Sequence, residues 1–137
     1  PQRVIYYMTV TVSNVILSGS KVTFDESTNT YTIRHNAAKL NTEFEISVFG
    51  SGIKYMTGPS YVTVAFLKSD GTVVDSVKLT RHNYYDAFVA KYLETTLSDP
   101  HVVEGETLTL AYNLNGEWVD TGKKVVYDVY YSISDYS

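Results

Sequence analysis

Cysteine is absent from this chain of 137 residues, proline occurs three times, methionine twice and tryptophan once. Without cysteine there is no disulfide framework, no thiolate to hold zinc and no thiol nucleophile. Charge is sparse as well. Asp, Glu, Lys and Arg supply 19% of the residues, and 15 acids against 11 bases leave a net charge of −4. Such a balance lacks the basic face that nucleic-acid binders carry, so no nucleic-acid partner is expected. No apolar run approaches the ~20 residues of a spanning helix, so no membrane span is expected either. Residues 1–12, PQRVIYYMTVTV, contain one arginine and no unbroken apolar stretch, unlike a secretory signal. A start at Pro1 is what trimming of an initiator Met or cleavage of a precursor would leave. The first alternative implies a small product made in the cytosol without export.

What the chain does have is apolar content. At 44% hydrophobic it is too rich for a disordered polymer. With ~100–200 residues per domain as the usual size, one domain over residues 1–137 is expected, long enough to bury a core. Its pattern is alternation with a period of two. Val4, Tyr6, Met8, Val10 and Val12 share one face of an opening strand, with Ile5, Tyr7, Thr9 and Thr11 on the other. Phe44, Ile46 and Val48 alternate with Glu43, Glu45 and Ser47, as do Val62, Val64 and Phe66 with Tyr61, Thr63, Ala65 and Leu67. Val73, Asp75, Val77 and Leu79 form one more such row, Leu108, Leu110 and Tyr112 another, and Val125, Tyr127, Val129 and Tyr131 the last. Helical periodicity is nearly missing. A single turn fits Asn36–Leu40, and Phe88, Ala90 and Tyr92 make the stretch DAFVAKYLETTL read as a strand despite its helix formers.

Turn chemistry divides these runs. Asp25–Asn29 predicts a hairpin joining Val22–Phe24 to Tyr31–Ile33. Asp70-Gly71 and Asn115-Gly116 are the strong hairpin signals, because both pairs tolerate the positive φ of tight turns. Asp120-Thr121-Gly122 reads as one more turn. Eight or nine strands result, with turn signals every 8–12 residues or so, the spacing of a sandwich or barrel. The expected fold is therefore all-β, an antiparallel β-sandwich of immunoglobulin-like or jelly-roll type. Loops of note are residues 50–60, 80–86 and 94–106, the last expected to cross from one sheet to the other.

Catalytic patterns are missing. His35, His82 and His101 lie far apart, and none belongs to an HxH or HExxH pair, so they are expected as solvent-facing loop residues. Gly50-Ser51-Gly52 lacks the second half of a nucleophile elbow. Glu43 and Glu45 share a strand face about 7 Å apart, within the ~6.5–9.5 Å of inverting glycosidases. Nothing near them is placed to raise one pKa, and a solvated strand face explains them as well. Asp70, Asp75, Asp99 and Asp120 lie in or near turns without the spacing of a calcium loop. No catalytic residue, no metal and no cofactor is expected, and the chain is not read as an enzyme.

Tyrosine is the unusual component, at 13 residues. Tyr6, Tyr31, Tyr61, Tyr92, Tyr112 and Tyr127 suit half-buried strand positions. Tyr84 and Tyr85 are neighbours in a loop, and Tyr55 sits in a glycine-rich one. Phenol rings supply contact area at low entropic cost, which suits recognition surfaces. A carbohydrate-binding module or lectin would use Tyr55, His82, Asn83, Tyr84, Tyr85 and Trp118, the last beside a hairpin turn where it could stack on a sugar or fill the core.

The run YVTVAFLKSDGTVVDSVKLT, followed by FVAKYL, by HVVEGETLTLAYNLNGEW and by a long final strand, resembles immunoglobulin-like β-sandwich domains of tailed-bacteriophage virion proteins. These include head-fibre, decoration and upper-baseplate modules. The likeness covers roughly residues 43–131 and lies in the order of strands and turns. It implies a non-enzymatic structural protein of a virion, made in the host cytoplasm, whose partners are copies of itself or other virion proteins. The lectin alternative implies an extracellular or cell-surface setting and a cell-surface glycan as partner. Strands apolar on both faces, VIYYMTVTV and KKVVYDVYY, carry more apolar surface than one sandwich core hides, and such surface marks partner contacts. Ile5, Tyr7, Tyr130 and Ile133 are the expected assembly interface.

Overall fold

A computed structural model describes residues 11–39, 42–51, 61–80, 87–92, 105–114 and 116–134. Nine strands account for most of them: β1 (Thr11–Ser18), β2 (Val22–Asp25), β3 (Thr30–Asn36), β4 (Phe44–Ser51), β5 (Tyr61–Leu67), β6 (Val73–Thr80), β7 (Ala87–Tyr92), β8 (Leu108–Asn113) and β9 (Trp118–Tyr130). They form a three-stranded sheet, β1-β4-β7, and a six-stranded sheet, β2-β3-β9-β8-β5-β6. The expected all-β sandwich is present, and no helix occurs among the described residues.

Strand order separates the two expected sandwich types. With β1, β4 and β7 as A, B and E, and β5, β6, β8 and β9 as C, C′, F and G, the sheets read A-B-E and G-F-C-C′. That is the immunoglobulin arrangement. The β2–β3 hairpin is an addition on the free side of β9. Every pairing is antiparallel except that of β3 with β9, which is parallel from Thr30↔Lys124 to Asn36↔Tyr130. The expected antiparallel sandwich is present with this one parallel pair added: alternation places a strand's faces but carries no information on its neighbour's direction.

Alternation sets the core. Phe44, Ile46 and Val48 of β4 are 2%, 1% and 0% exposed, while Glu43 and Glu45 face solvent. Against them pack Val15 and Leu17 of β1 and, from the other sheet, Ile33, Val62, Val64, Leu108, Leu110 and Val125. Each such side chain fully withdrawn from water contributes about 1.5–3 kcal/mol. Phe66 connects the layers through ring contacts with Phe44 and Tyr127, both with centroids 6.2 Å apart. Tyr127 is buried, and its hydroxyl donates to Asp75 Oδ2 at 3.3 Å, so the phenol keeps a partner inside the core.

The hairpin turns follow their residues. Lys68 N donates to Thr72 O at 2.8 Å and Gly71 N to Lys68 O at 2.9 Å, and Gly71 takes the positive φ of 90°. This is the three-residue hairpin loop with glycine in the left-handed position. Hydrogen bonds from the Thr72 hydroxyl and amide hold the Asp70 carboxyl below the usual carboxylate range. In the β2–β3 turn Asp25 Oδ1 accepts from Ser27 N and Ser27 Oγ at 2.9 and 2.6 Å, and Asn29 closes it at φ 53°.

Several expectations change. Asp120-Thr121-Gly122 is a bulge inside β9, not a turn: Ala111 pairs with Asp120 and Thr109 with Lys124, so three residues oppose Leu110 alone. Asp120 Oδ1 accepts from Gly122 N at 2.7 Å, Thr121 Oγ1 donates to Leu110 O at 2.6 Å, and Gly122 has φ 83°. The Asx–Gly chemistry that builds a turn also satisfies the unpaired groups of a bulge. At Asn36 a single turn does form, with Lys39 N donating to Asn36 O at 2.9 Å, and Leu40 lies outside the described residues. Residues 4–10 of the expected opening strand also lie outside them, while β1 extends to Ser18 through a segment not expected as strand. His35 is not a loop residue: it is 3% exposed on β3, and its Nδ1 pairs with Thr42 Oγ1 at 2.8 Å. Burial pushes its pKa below 6.5.

Candidate functional site

Of the residues singled out for binding, Tyr55, His82, Asn83, Tyr84 and Tyr85 lie outside the described residues, as do Ile5 and Tyr7 of the assembly set. Trp118, Tyr130 and Ile133 are described, and all three belong to β9 or the chain just after it. The functional surface is therefore built upward from that strand.

At its far end β9 is finished by one amide. Asn36 is 4% exposed, and its Nδ2 donates to Ser132 O at 2.7 Å while its Oδ1 accepts from Ser132 N at 3.1 Å and Ala38 N at 3.0 Å. The side chain thus imitates a strand rung and fixes the backbone where Tyr131 and Ile133 branch from it. These two are 72% and 69% exposed, the most exposed of the large apolar side chains described. Tyr130 is less available than expected. Its hydroxyl accepts from Lys21 Nζ at 2.9 Å and the Arg34 guanidinium lies 4.5 Å from its ring centroid, so the ring is held by its own chain. Tyr131 presents the ring that Tyr130 was expected to present. Only the register of β9, invisible in the alternation, distinguishes the two.

At the near end β9 faces β1 across a cleft of about 150 Å3 lined by Val12, Asn14, Tyr112, Val119, Thr121 and Lys123, among others. Lys123 closes its floor. Its ammonium donates to Asn14 Oδ1 at 2.6 Å, Val15 O at 2.9 Å and Tyr31 OH at 3.5 Å, and stands 5.4 Å from the ring centroids of Phe24 and Tyr31. One side chain thereby ties the two sheets together. The cleft falls well below the ~300–1,000 Å3 of small-molecule pockets, and its cation is already engaged. It is a fastening.

The outer face of the six-stranded sheet is different. Cross-strand pairs place Trp118 beside Asn113, Asn113 beside Thr63, and Thr63 beside Lys78, four side chains on one rung. Tyr61, two residues before Thr63, joins them on that face, and Lys78 Nζ lies 4.1 Å from its ring centroid. Trp118 is 39% and Tyr61 45% exposed. Tyr61 was expected in the half-buried set. It lies on the outer face of β5, and its alternation partner Val62, at 0%, takes the inward position. Tyr61 pairs with Thr80 at this end of β5 and β6.

No constellation for catalysis stands out among the described residues. Glu43 and Glu45 are exposed, and no group of three or more His, Asp or Glu side chains could hold a metal. Asp70, Asp75 and Asp120 accept hydrogen bonds within their own turn, core contact and bulge, and Asp99 lies outside the described residues. No helix among the described residues is long and apolar enough to cross a membrane. Comparison with known protein families, with curated proteins and with solved structures finds no match to this chain.

Proposed function

We propose that this chain is a non-enzymatic structural and assembly protein of a virion, a capsid-decoration, fibre or baseplate component acting through protein–protein contacts and self-association. The observation that carries the reading is the pair Tyr131 and Ile133, 72% and 69% exposed on either side of Ser132, whose backbone Asn36 hydrogen-bonds. Apolar side chains displayed on hydrogen-bonded backbone just past a strand make a contact surface with a reduced ordering cost at the moment of binding. The resemblance of residues 43–131 to immunoglobulin-like domains of phage virion proteins supports the same reading. The test is light scattering coupled to size exclusion. The natural chain is expected to form oligomers that Tyr131→Ser combined with Ile133→Ser dissociates while leaving the β-sheet circular dichroism unchanged. A natural chain that stays monomeric at millimolar concentration and ignores virion particles defeats the reading.

A second reading, a glycan-binding module, is favoured by one observation: the only tryptophan of the chain stands partly in solvent on a sheet face. Titrating its fluorescence with oligosaccharides tests this directly.

A further inference from the structure

We propose that the Trp118 end of the outer sheet face binds an acidic glycan, with the rings of Trp118 and Tyr61 stacking on sugar faces and the Lys78 ammonium pairing with a uronate carboxylate. This deepens the glycan-binding reading and rests on it. It does not depend on the assembly surface at Tyr131 and Ile133, which lies at the other end of β9.

The register makes the arrangement. From Trp118 to Lys78 the rung crosses three strand spacings, about 14 Å, and the Cα atoms of Trp118 and Tyr61 stand about 12 Å apart at ordinary strand and residue spacings. The surface is thus wide enough to seat a short oligosaccharide. Both rings are amphipathic, apolar in body with one polar group. Between them lie the Thr63 hydroxyl and the Asn113 amide. Asn113 Oδ1 accepts from Gly116 N at 2.8 Å, so the Nδ2 group is the donor it presents. An alternation of rings with hydroxyl and amide groups matches a sugar, whose faces are apolar and whose rim is hydroxylated. A protein partner would ask for a contiguous apolar centre instead.

Charge selects the acidic class. Other cations of this face are engaged by their own chain: Lys124 lies 3.8 Å from Asp120, Arg34 lies 3.9 Å from Asp128, and Lys21 donates to the Tyr130 hydroxyl. Lys78 has its contact with the Tyr61 ring and no carboxylate among the described residues. An exposed ammonium held beside a ring, with no counter-charge among the described residues, is complementary to a carboxylate brought by the ligand.

The lone tryptophan makes the test direct. The full chain is titrated with oligogalacturonate and, separately, with a neutral cello-oligosaccharide, following Trp118 emission. Expected are a saturable change with the uronate, at least tenfold weaker binding of the neutral sugar, and weakening by added salt. Lys78→Gln should lower uronate affinity at least tenfold and Tyr61→Ala should abolish it. Both substitutions fall on exposed side chains and should leave the circular dichroism intact. Equal binding of the two sugars, indifferent to Lys78→Gln, overturns the acidic class and leaves the glycan reading standing. No response to either sugar at millimolar concentration overturns both. A blue shift of Trp118 on concentrating the protein alone also overturns both, since a second copy then covers the face.

Discussion

The two ends of β9 are fastened by opposite means. At the Trp118 end the strand is antiparallel to β8, breaks register at a bulge, and is tied to the other sheet by the Lys123 ammonium. At the Tyr130 end it runs parallel to β3, keeps register, and is closed by the Asn36 amide. The bulge fits three residues against one and makes the strand twist away from its neighbour, which is where an exposed aromatic rung follows. The parallel end is regular and displays apolar groups only after the ladder is complete. Irregular backbone accompanies a mixed polar and aromatic face here, and regular backbone a greasy tip.

Breaking each fastening separately sharpens that contrast. Asn36→Ala should have the largest effect. It removes three hydrogen bonds made by a buried side chain to half-buried Ser132 and exposed Ala38, and urea unfolding should show a loss of about 2–3 kcal/mol. Gly122→Ala comes next. A Cβ there meets nothing within 4 Å, so the cost is the positive φ alone, about 1–2 kcal/mol, and Gly122→Asn should recover part of it. Lys123→Met keeps the aliphatic stem and removes the head, and for a partly exposed ammonium the loss should be about 1 kcal/mol. An unchanged midpoint for this variant would mean that the sheets hold together without their tie.

The smallest effect is a pH dependence at the Tyr130 end. His35 is buried, so its folded pKa lies below 6.5 and the unfolded chain takes up the proton first as pH falls. The stability it supports is present above 6.5 and drains away as pH drops from there through the folded value. Comparing the natural chain with His35→Gln in unfolding at pH 7.5 and pH 5 should show a steeper loss in the natural chain. Equal slopes would remove His35 as the cause.

The strands were legible because one face of each meets the core. Phe44, Ile46 and Val48 announce β4, and Asp70-Gly71 announces its hairpin, since left-handed φ is cheap for few residues. The bulge was not legible as such, because Asp120 and Gly122 do the same local chemistry in a turn and in a bulge, and only the pairing partner decides. Nor was the burial of His35, which depends on Thr42 arriving from the next segment. Of the candidate surface, Trp118 was marked by its type and Ile133 by its position. Tyr61, Lys78 and Tyr131 emerged only from register, which a two-residue period leaves open by whole-rung shifts.

The rung between β3 and β9 also has a consequence for synthesis. Asn36 and Ser132 stand 96 positions apart in the chain, so β3 finds its neighbour β9 only once the long segment between them has been made. Contacts of such long range slow folding, because the loop must close before they reward it. Until then an uncovered ribbon edge is open to other nascent chains. A product shortened before residue 124 would never acquire its closing strand, which gives the cell a simple physical mark of incomplete copies.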